Sequence, residues 1–179
     1  NVTVTIDDDD GGSGGDSLVV DVSNVDPRRV TATDLGFRIG PRINARGRVS
    51  HAAEAVELLR KASRPVIIVG HGARFRMAEV MRLAEKLSCP VITTFKGKGL
   101  VADDHPLACG ALGRSGTPVA AATMGHSDLL LVFGASFSNH TGISPRKTTI
   151  QVDFDRMTLG KFHPVDVLLW GEIGRTVDL

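Results

Sequence analysis

A chain of 179 residues, 42% hydrophobic and 23% charged, carries enough apolar material for one well-packed domain with or without an appendage. Its 21 Lys and Arg against 20 Asp and Glu leave a net charge of +1, and only 4% of residues are aromatic, with no tyrosine. That balance supplies no bulk attraction to nucleic acid or an anionic membrane, and no apolar run approaches the ~18 residues that a membrane span needs.

Asn1 to Ile6 alternates β-branched residues and is expected to form an edge strand. Asp7 to Asp10 then meets Gly11–Gly12–Ser13–Gly14–Gly15. Adjacent carboxylates repel, and glycines have the most conformational freedom to lose, so a solvated linker is expected, native or a chimeric joint. The cluster lacks the alternating ligands and distal glutamate of a Ca²⁺ loop, so no metal is expected. This acidic, glycine-rich start is not expected to be a signal peptide, and a cytoplasmic protein with two reduced, semi-buried cysteines, Cys89 and Cys109, is the expectation. Leu18 to Val22 reads as a short strand that Asp26–Pro27 ends.

Thr31 to Val49 interleaves Arg38, Arg42, Arg46 and Arg48 with Gly36, Gly40 and Gly47, and is expected to be irregular. A helix is expected from Ser50 as N-cap, with Ala52, Ala55, Val56 and Leu59 on its apolar face. The chain thus divides into an extension over 1–50 and a domain over 51–179.

In that domain, short apolar runs alternate with helical patterns. The runs are Val66–Val69, Val91–Thr94, Leu129–Phe133, Thr149–Val152 and Val167–Trp170. Helices are expected over Met77–Leu87, with Val80, Leu83, Ala84 and Leu87 inward, and over Thr117–Met124. This alternation predicts an α/β fold: a doubly wound, mostly parallel sheet with helices on both faces.

Ligands of such sheets bind beyond the carboxyl ends of the strands. Those ends carry Gly70–His71–Gly72, Thr93–Thr94–Phe95, Gly134–Ala135–Ser136 and Asp153–Phe154–Asp155, while Gly113–Arg114–Ser115–Gly116–Thr117 precedes a helix. Glycines admit a phosphate close to backbone N–H groups, and strand-end aspartates accept from ribose hydroxyls. Together they suit FAD or an ADP moiety. Taken singly, Gly70–His71–Gly72 reads as a tight turn, the six histidines as surface or capping residues, and Lys96 and Lys98 as exposed loop lysines. Asp153 and Asp155 serve equally well as ribose acceptors or as caps of a following helix.

Leu83–Ala84–Glu85–Lys86–Leu87, Pro90 to Gly99, Asp104–His105–Pro106–Leu107 and Gly110 to Thr117 resemble the central domain of acetolactate synthases and pyruvate oxidases. Ser127 to Leu131, Gly134 to Phe137, Gln151 to Asp155 and Gly171–Glu172–Ile173 extend the resemblance across Arg64 to Leu179. It implies a domain that binds FAD, binds ADP or is empty, within an enzyme whose other domains hold thiamine diphosphate and Mg²⁺. The implied FAD positions are Gly70, Gly72, Thr93, Thr94, Phe95, Gly113, Ser115, Gly116, Gly134, Ala135, Ser136, Asp153, Phe154, Asp155, Glu172 and Ile173. Acetolactate synthases carry arginines after the glycine matching Gly134, where this chain has Ser136 and His140. Neither the thiamine-binding GDG…N segment nor the catalytic glutamate is present, so no catalytic residue is expected here. The chain is expected to be a fragment or subunit, inactive alone, partnered by other domains of a thiamine-diphosphate enzyme and forming a homo-oligomer. Nucleic acid and membrane are not expected partners. A separate segment, Asp34 to Arg48 continuing to Leu59, resembles RecJ-like exonucleases of the DHH phosphoesterase superfamily, with Arg46 replacing an alanine of PRINAAGR. The metal-binding aspartates and the DHH triplet of those enzymes are missing. The other readings are a stand-alone nucleotide-binding module and a remnant of such a single-strand exonuclease.

Overall fold

The computed structural model describes residues 2–6, 18–22, 40–138, 140–144 and 146–177, with side chains from His51 onward. The acidic and glycine-rich stretch, the Asp26–Pro27 break and the basic residues before Gly40 lie outside the described residues. Two compact units divide at Ser50 and His51. In the first, β1 (Val2–Ile6) and β2 (Leu18–Val22) form an antiparallel pair, Val2 opposite Val22 and Ile6 opposite Leu18.

α1 runs over Gly40–Lys61, so the expected start at Ser50 is ten residues late. Pro41 suits a first helical turn, where a missing N–H costs nothing, and the arginines and Ala45 are good helix formers. They outweigh Gly47, whose place in a helix interior costs about 1 kcal/mol. The apolar face is also rotated from the expected one. Ala55 is buried, with Leu58, Leu59 and Ala62 packed beside it, while Val56 is 45% exposed.

The second unit is a six-stranded parallel sheet in the order β5-β4-β3-β6-β7-β8. Its strands are β3 (Pro65–Val69), β4 (Val91–Thr94), β5 (Ala108–Leu112), β6 (Leu129–Phe133), β7 (Thr148–Asp153) and β8 (Val167–Trp170). The helices are α2 (Met77–Leu87), α3 (Pro118–His126) and the short α4 (Ile173–Val177). From β3 the chain winds outward through β4 and β5, then returns to β6 and winds the other way, as the alternation of runs and helices predicts.

Successive residues of each strand feed opposite cores. Ile67, Val69, Val91, Leu131 and Val152 join Val80 and Ala84 of α2 on one face. Val66, Ile68, Ile92, Leu130 and Val132 join Ala120 and Met124 of α3 on the other. Asp128 anchors the entry to the sheet: its carboxylate accepts from Ser63 N at 2.8 Å and Arg64 N at 2.9 Å. Burial opposes ionisation there, but the Arg64 and Ser63 N–H groups outweigh it and hold the carboxyl below its usual range.

The two thiols differ. Cys89 is 1% exposed, its Sγ donates to Pro65 O at 3.0 Å, and burial pushes its pKa to about 12, whereas Cys109 is partly exposed. Only about one Cys89 in ten thousand is then thiolate at pH 8, so a thiol reagent is expected to label Cys109 in the native chain and Cys89 only on unfolding. Mass spectrometry of the labelled native chain checks this; equal rapid labelling of both would contradict the packing.

Candidate functional site

Register brings the six strand ends into one row. Val69 lies beside Thr93 and Phe133, Thr94 beside Leu112, Phe133 beside Val152, and Asp153 beside Trp170. The row therefore carries, in order, Gly113, Ser115 and Gly116 after β5, Thr94 and Phe95 on β4 and its exit, and Gly70 and Gly72 after β3. It continues with Gly134, Ala135 and Ser136 after β6, Asp153, Phe154 and Asp155 on β7 and its exit, and Glu172 with Ile173 after β8. The reversal of winding falls between β3 and β6, so the Gly70 and Gly134 turns stand at the switch point where open sheets leave a crevice.

These glycines are first of all needed by their own chain. A Cβ on Gly70 would come within 2.7 Å of Ala135 Cα, on Gly72 within 2.8 Å of Gly134 Cα, and on Gly116 within 2.8 Å of Gly113 N. Their amides are engaged as well. Gly70 N donates to Phe133 O at 2.9 Å, Gly72 N to Gly134 O at 3.0 Å, Gly134 N to Val152 O at 3.0 Å and Gly116 N to Gly113 O at 2.9 Å. The two turns at the switch point thus lock together, and the N–H groups that glycine spacing suggests for a phosphate already donate internally.

The carboxylates are likewise used by turns. Asp153 Oδ1 accepts from Asp155 N at 2.9 Å, and Asp155 accepts from Met157 N at 2.9 Å and Thr158 Oγ1 at 3.1 Å. Beyond Asp155 the chain turns, without the helix that capping would require. Burial pushes the Asp153 carboxyl up, and the neighbouring Asp155 charge adds to this, against the N–H groups of Asp155 and Phe154. Glu172 is seated at the start of α4, accepting from Arg175 N at 2.9 Å and Gly174 N at 3.2 Å and pairing with Arg76. The Arg175 N–H leads in holding its carboxyl below the ordinary range against desolvation, with Gly174 and Arg76 assisting. Ile173 is buried in the core at 4% exposure.

What the edge offers outward is aromatic and cationic. Phe95 and Phe154 are 65% and 76% exposed, and Trp170 Nε1 holds the Phe154 carbonyl at 2.9 Å. Lys96, next to Phe95 after β4, and Arg114, after β5, are exposed on the same row, and Arg114 N donates to His140 O at 3.2 Å, tying the turn after β5 to the segment after β6. Thr93 lies elsewhere: it is buried, donates to Gly110 O at 3.4 Å, and lines a cavity on the flank of β4 and β5.

Gln151 is the residue that pattern reading passes over. It is fully buried in β7, donating to Ala135 O at 3.0 Å and Thr158 O at 3.3 Å and accepting from Gly160 N at 2.9 Å. It fixes the Gly134–Ser136 turn against the loop after β7. One long polar side chain inside an apolar strand was the available signal.

Among the described residues no helix is long and apolar enough to cross a membrane, and no group of three His, Cys, Asp or Glu could hold a metal ion.

Comparison with known proteins supplies an independent line. A family model described as "Thiamine pyrophosphate enzyme, central domain" matches residues 52–179. The acetolactate synthase large subunit of Parasynechococcus marenigrum is 35% identical over 129 residues, which cover 68% of this chain and 21% of that protein. The acetolactate synthase of Mycobacterium bovis is 33% identical over 171 residues, covering 88% of this chain and 27% of that protein. The acetolactate synthase isozyme 1 large subunit of Escherichia coli is 32% identical over 125 residues, 67% of this chain and 22% of that protein. This chain spans about a fifth to a quarter of the length of the curated relatives it matches.

Proposed function

We propose, on the premise that this chain belongs to the thiamine pyrophosphate enzyme central-domain family, that it is the nucleotide-binding-type domain of a 2-keto-acid enzyme such as an acetolactate synthase. The observation that supports a nucleotide is the gathering of aromatic, carboxylate and cationic side chains along one sheet edge, at the switch point of a doubly wound fold. Phe154 and Asp155 suit the nucleoside end, by stacking and by accepting from ribose hydroxyls with lone pairs left over from the turn. Lys96 and Arg114 suit the phosphates, in place of the arginines that acetolactate synthases carry after the glycine matching Gly134. The fit rests on these side chains, since the amides of Gly70, Gly72, Gly116 and Gly134 are already bonded.

Thiamine diphosphate, where other domains hold it, supplies the carbanion chemistry of such enzymes. This chain's part is to bind and to hold its neighbours in place. Given pyruvate, thiamine diphosphate and Mg²⁺, the chain alone is expected to turn nothing over.

Calorimetric titration of the chain with FAD, ADP and CoA tests the reading. Saturable binding of an adenine nucleotide is expected, weakened by roughly five- to fifty-fold in Phe154→Ala, the usual range for a lost base stack. A yellow chain with flavin absorbance would identify FAD. If none of the three bound, the edge would be structural only.

The RecJ-like reading of residues 31–60 draws on sequence alone. The alignment with the Mycobacterium bovis enzyme covers more of this chain than residues 52–179 can supply, so it extends into that segment. This favours a lead-in to the same central domain over a nuclease remnant, and manganese-dependent degradation of single-stranded DNA is not expected.

A further inference from the structure

No helix among the described residues joins β6 to β7 or β7 to β8. Ile150 and Val152 of β7 point into the core shared with α2, so Gln151 between them points to the opposite face. There it meets irregular backbone, whose buried carbonyl and N–H groups need the partners that a helix would find within itself. A glutamine amide has two N–H donors and an oxygen acceptor, and here all three are employed. Nε2 donates to Ala135 O at 3.0 Å and Thr158 O at 3.3 Å, and Oε1 accepts from Gly160 N at 2.9 Å.

The two segments that meet on this amide both belong to the strand-end row. Ala135 lies in the turn that locks onto Gly72 at the switch point. Thr158 and Gly160 close the loop that begins at Phe154 and Asp155, which suit the base and the ribose. Phe154 and Met157 of this loop are 76% and 77% exposed, so packing does little to fix it, and its place follows from its backbone bonds. At the near end Trp170 Nε1 donates to Phe154 O at 2.9 Å, and Asp155 N to Asp153 Oδ1 at 2.9 Å. At the far end Gln151 is the tie to the sheet.

We propose that Gln151 is a positioning residue for the nucleotide, an inference that rests on the reading of the strand-end row as a nucleotide site. Fully buried, Gln151 touches no ligand itself. By tying the loop to the switch-point turn it keeps Phe154 and Asp155 at a fixed distance from Lys96 and Arg114. A nucleotide bound across the row holds the loop closed in return, because coupling between two equilibria is reciprocal. Without the amide, the loop samples placements in which the base and the phosphates cannot be held together. The apparent affinity then falls with the fraction of molecules competent to bind.

The test is calorimetric titration of the wild-type chain, Gln151→Met and Val80→Ala with FAD and ADP, each chain well below its melting temperature. Methionine nearly matches glutamine in length but replaces none of the three bonds. Val80 lies in the opposite core, so its truncation lowers stability without reaching the loop. Gln151→Met is expected to weaken the nucleotide about tenfold and Val80→Ala less than about twofold. Equal affinity of Gln151→Met and wild type would overturn the assignment, as would equal weakening by Val80→Ala. Amide exchange on the wild type decides the matter if Gln151→Met does not fold. At a nucleotide concentration about ten times Kd, the Gly160 N–H is expected to exchange about tenfold more slowly. The His105 N–H, in a turn closed by Ala102 O at 3.0 Å, is expected to keep its rate. Unchanged exchange at Gly160 in a chain that binds nucleotide would overturn the coupling and leave the nucleotide site standing. A wild-type chain that bound neither nucleotide would remove the nucleotide reading itself, and the role of Gln151 with it.

Discussion

Gly134→Ala is expected to destabilise the second unit by about 2–5 kcal/mol, lowering its melting temperature by roughly 8–20 °C in a thermal scan followed by circular dichroism. Two effects add. Gly134 has φ 61°, a left-handed conformation that costs a residue with a Cβ about 1–2 kcal/mol. The new methyl group would also fall within 2.7 Å of Gly72 Cα, a backbone atom with nowhere to retreat. Gly72 donates its N–H to Gly134 O at 3.0 Å, and Gly134 N in turn holds Val152 O at 3.0 Å. Relief of the clash therefore pulls on β3, β6 and β7 together, at the centre of the sheet, for a further ~1–3 kcal/mol. Gly99→Ala separates the two terms. Gly99 has φ 87° but nothing within 4 Å of its would-be Cβ, so only the backbone term of about 1–2 kcal/mol is expected. A Gly134→Ala chain that melted with the Gly99→Ala chain would show that the two turns do not lock.

The same turns mark where sequence stops being legible. The parallel sheet could be read because Val66–Val69, Val91–Thr94 and Leu129–Phe133 are continuous apolar runs, buried on both faces as the pattern requires. β5 escaped, because Ala108–Leu112 holds no β-branched residue and contains the Gly110 bulge, so its strand character comes from pairing with β4. α1 began early because glycine spacing before Ser50 suggested punctuation, where helix formers in fact prevail. Apart from Thr93, the strand-end residues lie on the strand ends and the turns that follow them, but how their polar groups are employed could not be read. Whether the Gly72 amide faces a phosphate or Gly134 O depends on how closely two turns approach across the sheet, and no local pattern records that distance. Phe154 and Arg114 gain interest for the converse reason: the fold leaves them outward once the glycines and aspartates have bonded within the chain.

Gln151→Leu is expected to cost about 3–5 kcal/mol, although leucine nearly matches the volume it replaces. Leucine leaves Ala135 O, Thr158 O and Gly160 N without the partners they have at 3.0, 3.3 and 2.9 Å, the first of these bonds fully buried and the other two partly so. An unmade buried bond costs about 1–3 kcal/mol, and partial hydration of the loosened loop keeps the sum below three full penalties. The loop after β7 should open first, so limited trypsin digestion is expected to cut at Arg156 and Lys161, both exposed, well before wild type is cut. Gln151→Glu sharpens the test through pH. A carboxylate there would keep the acceptor for Gly160 N but face two carbonyl oxygens in a dry site, so its folded pKa is raised above the unfolded value near 4.3. The protonated acid is the form that the fold tolerates. The variant's stability is therefore greatest below the unfolded pKa and falls as pH rises from there through the folded value. A stability difference between Gln151→Glu and wild type that stayed constant from pH 4 to pH 8 would mean that Gln151 is not enclosed by its three partners, and the turn at Gly134 would then need another support.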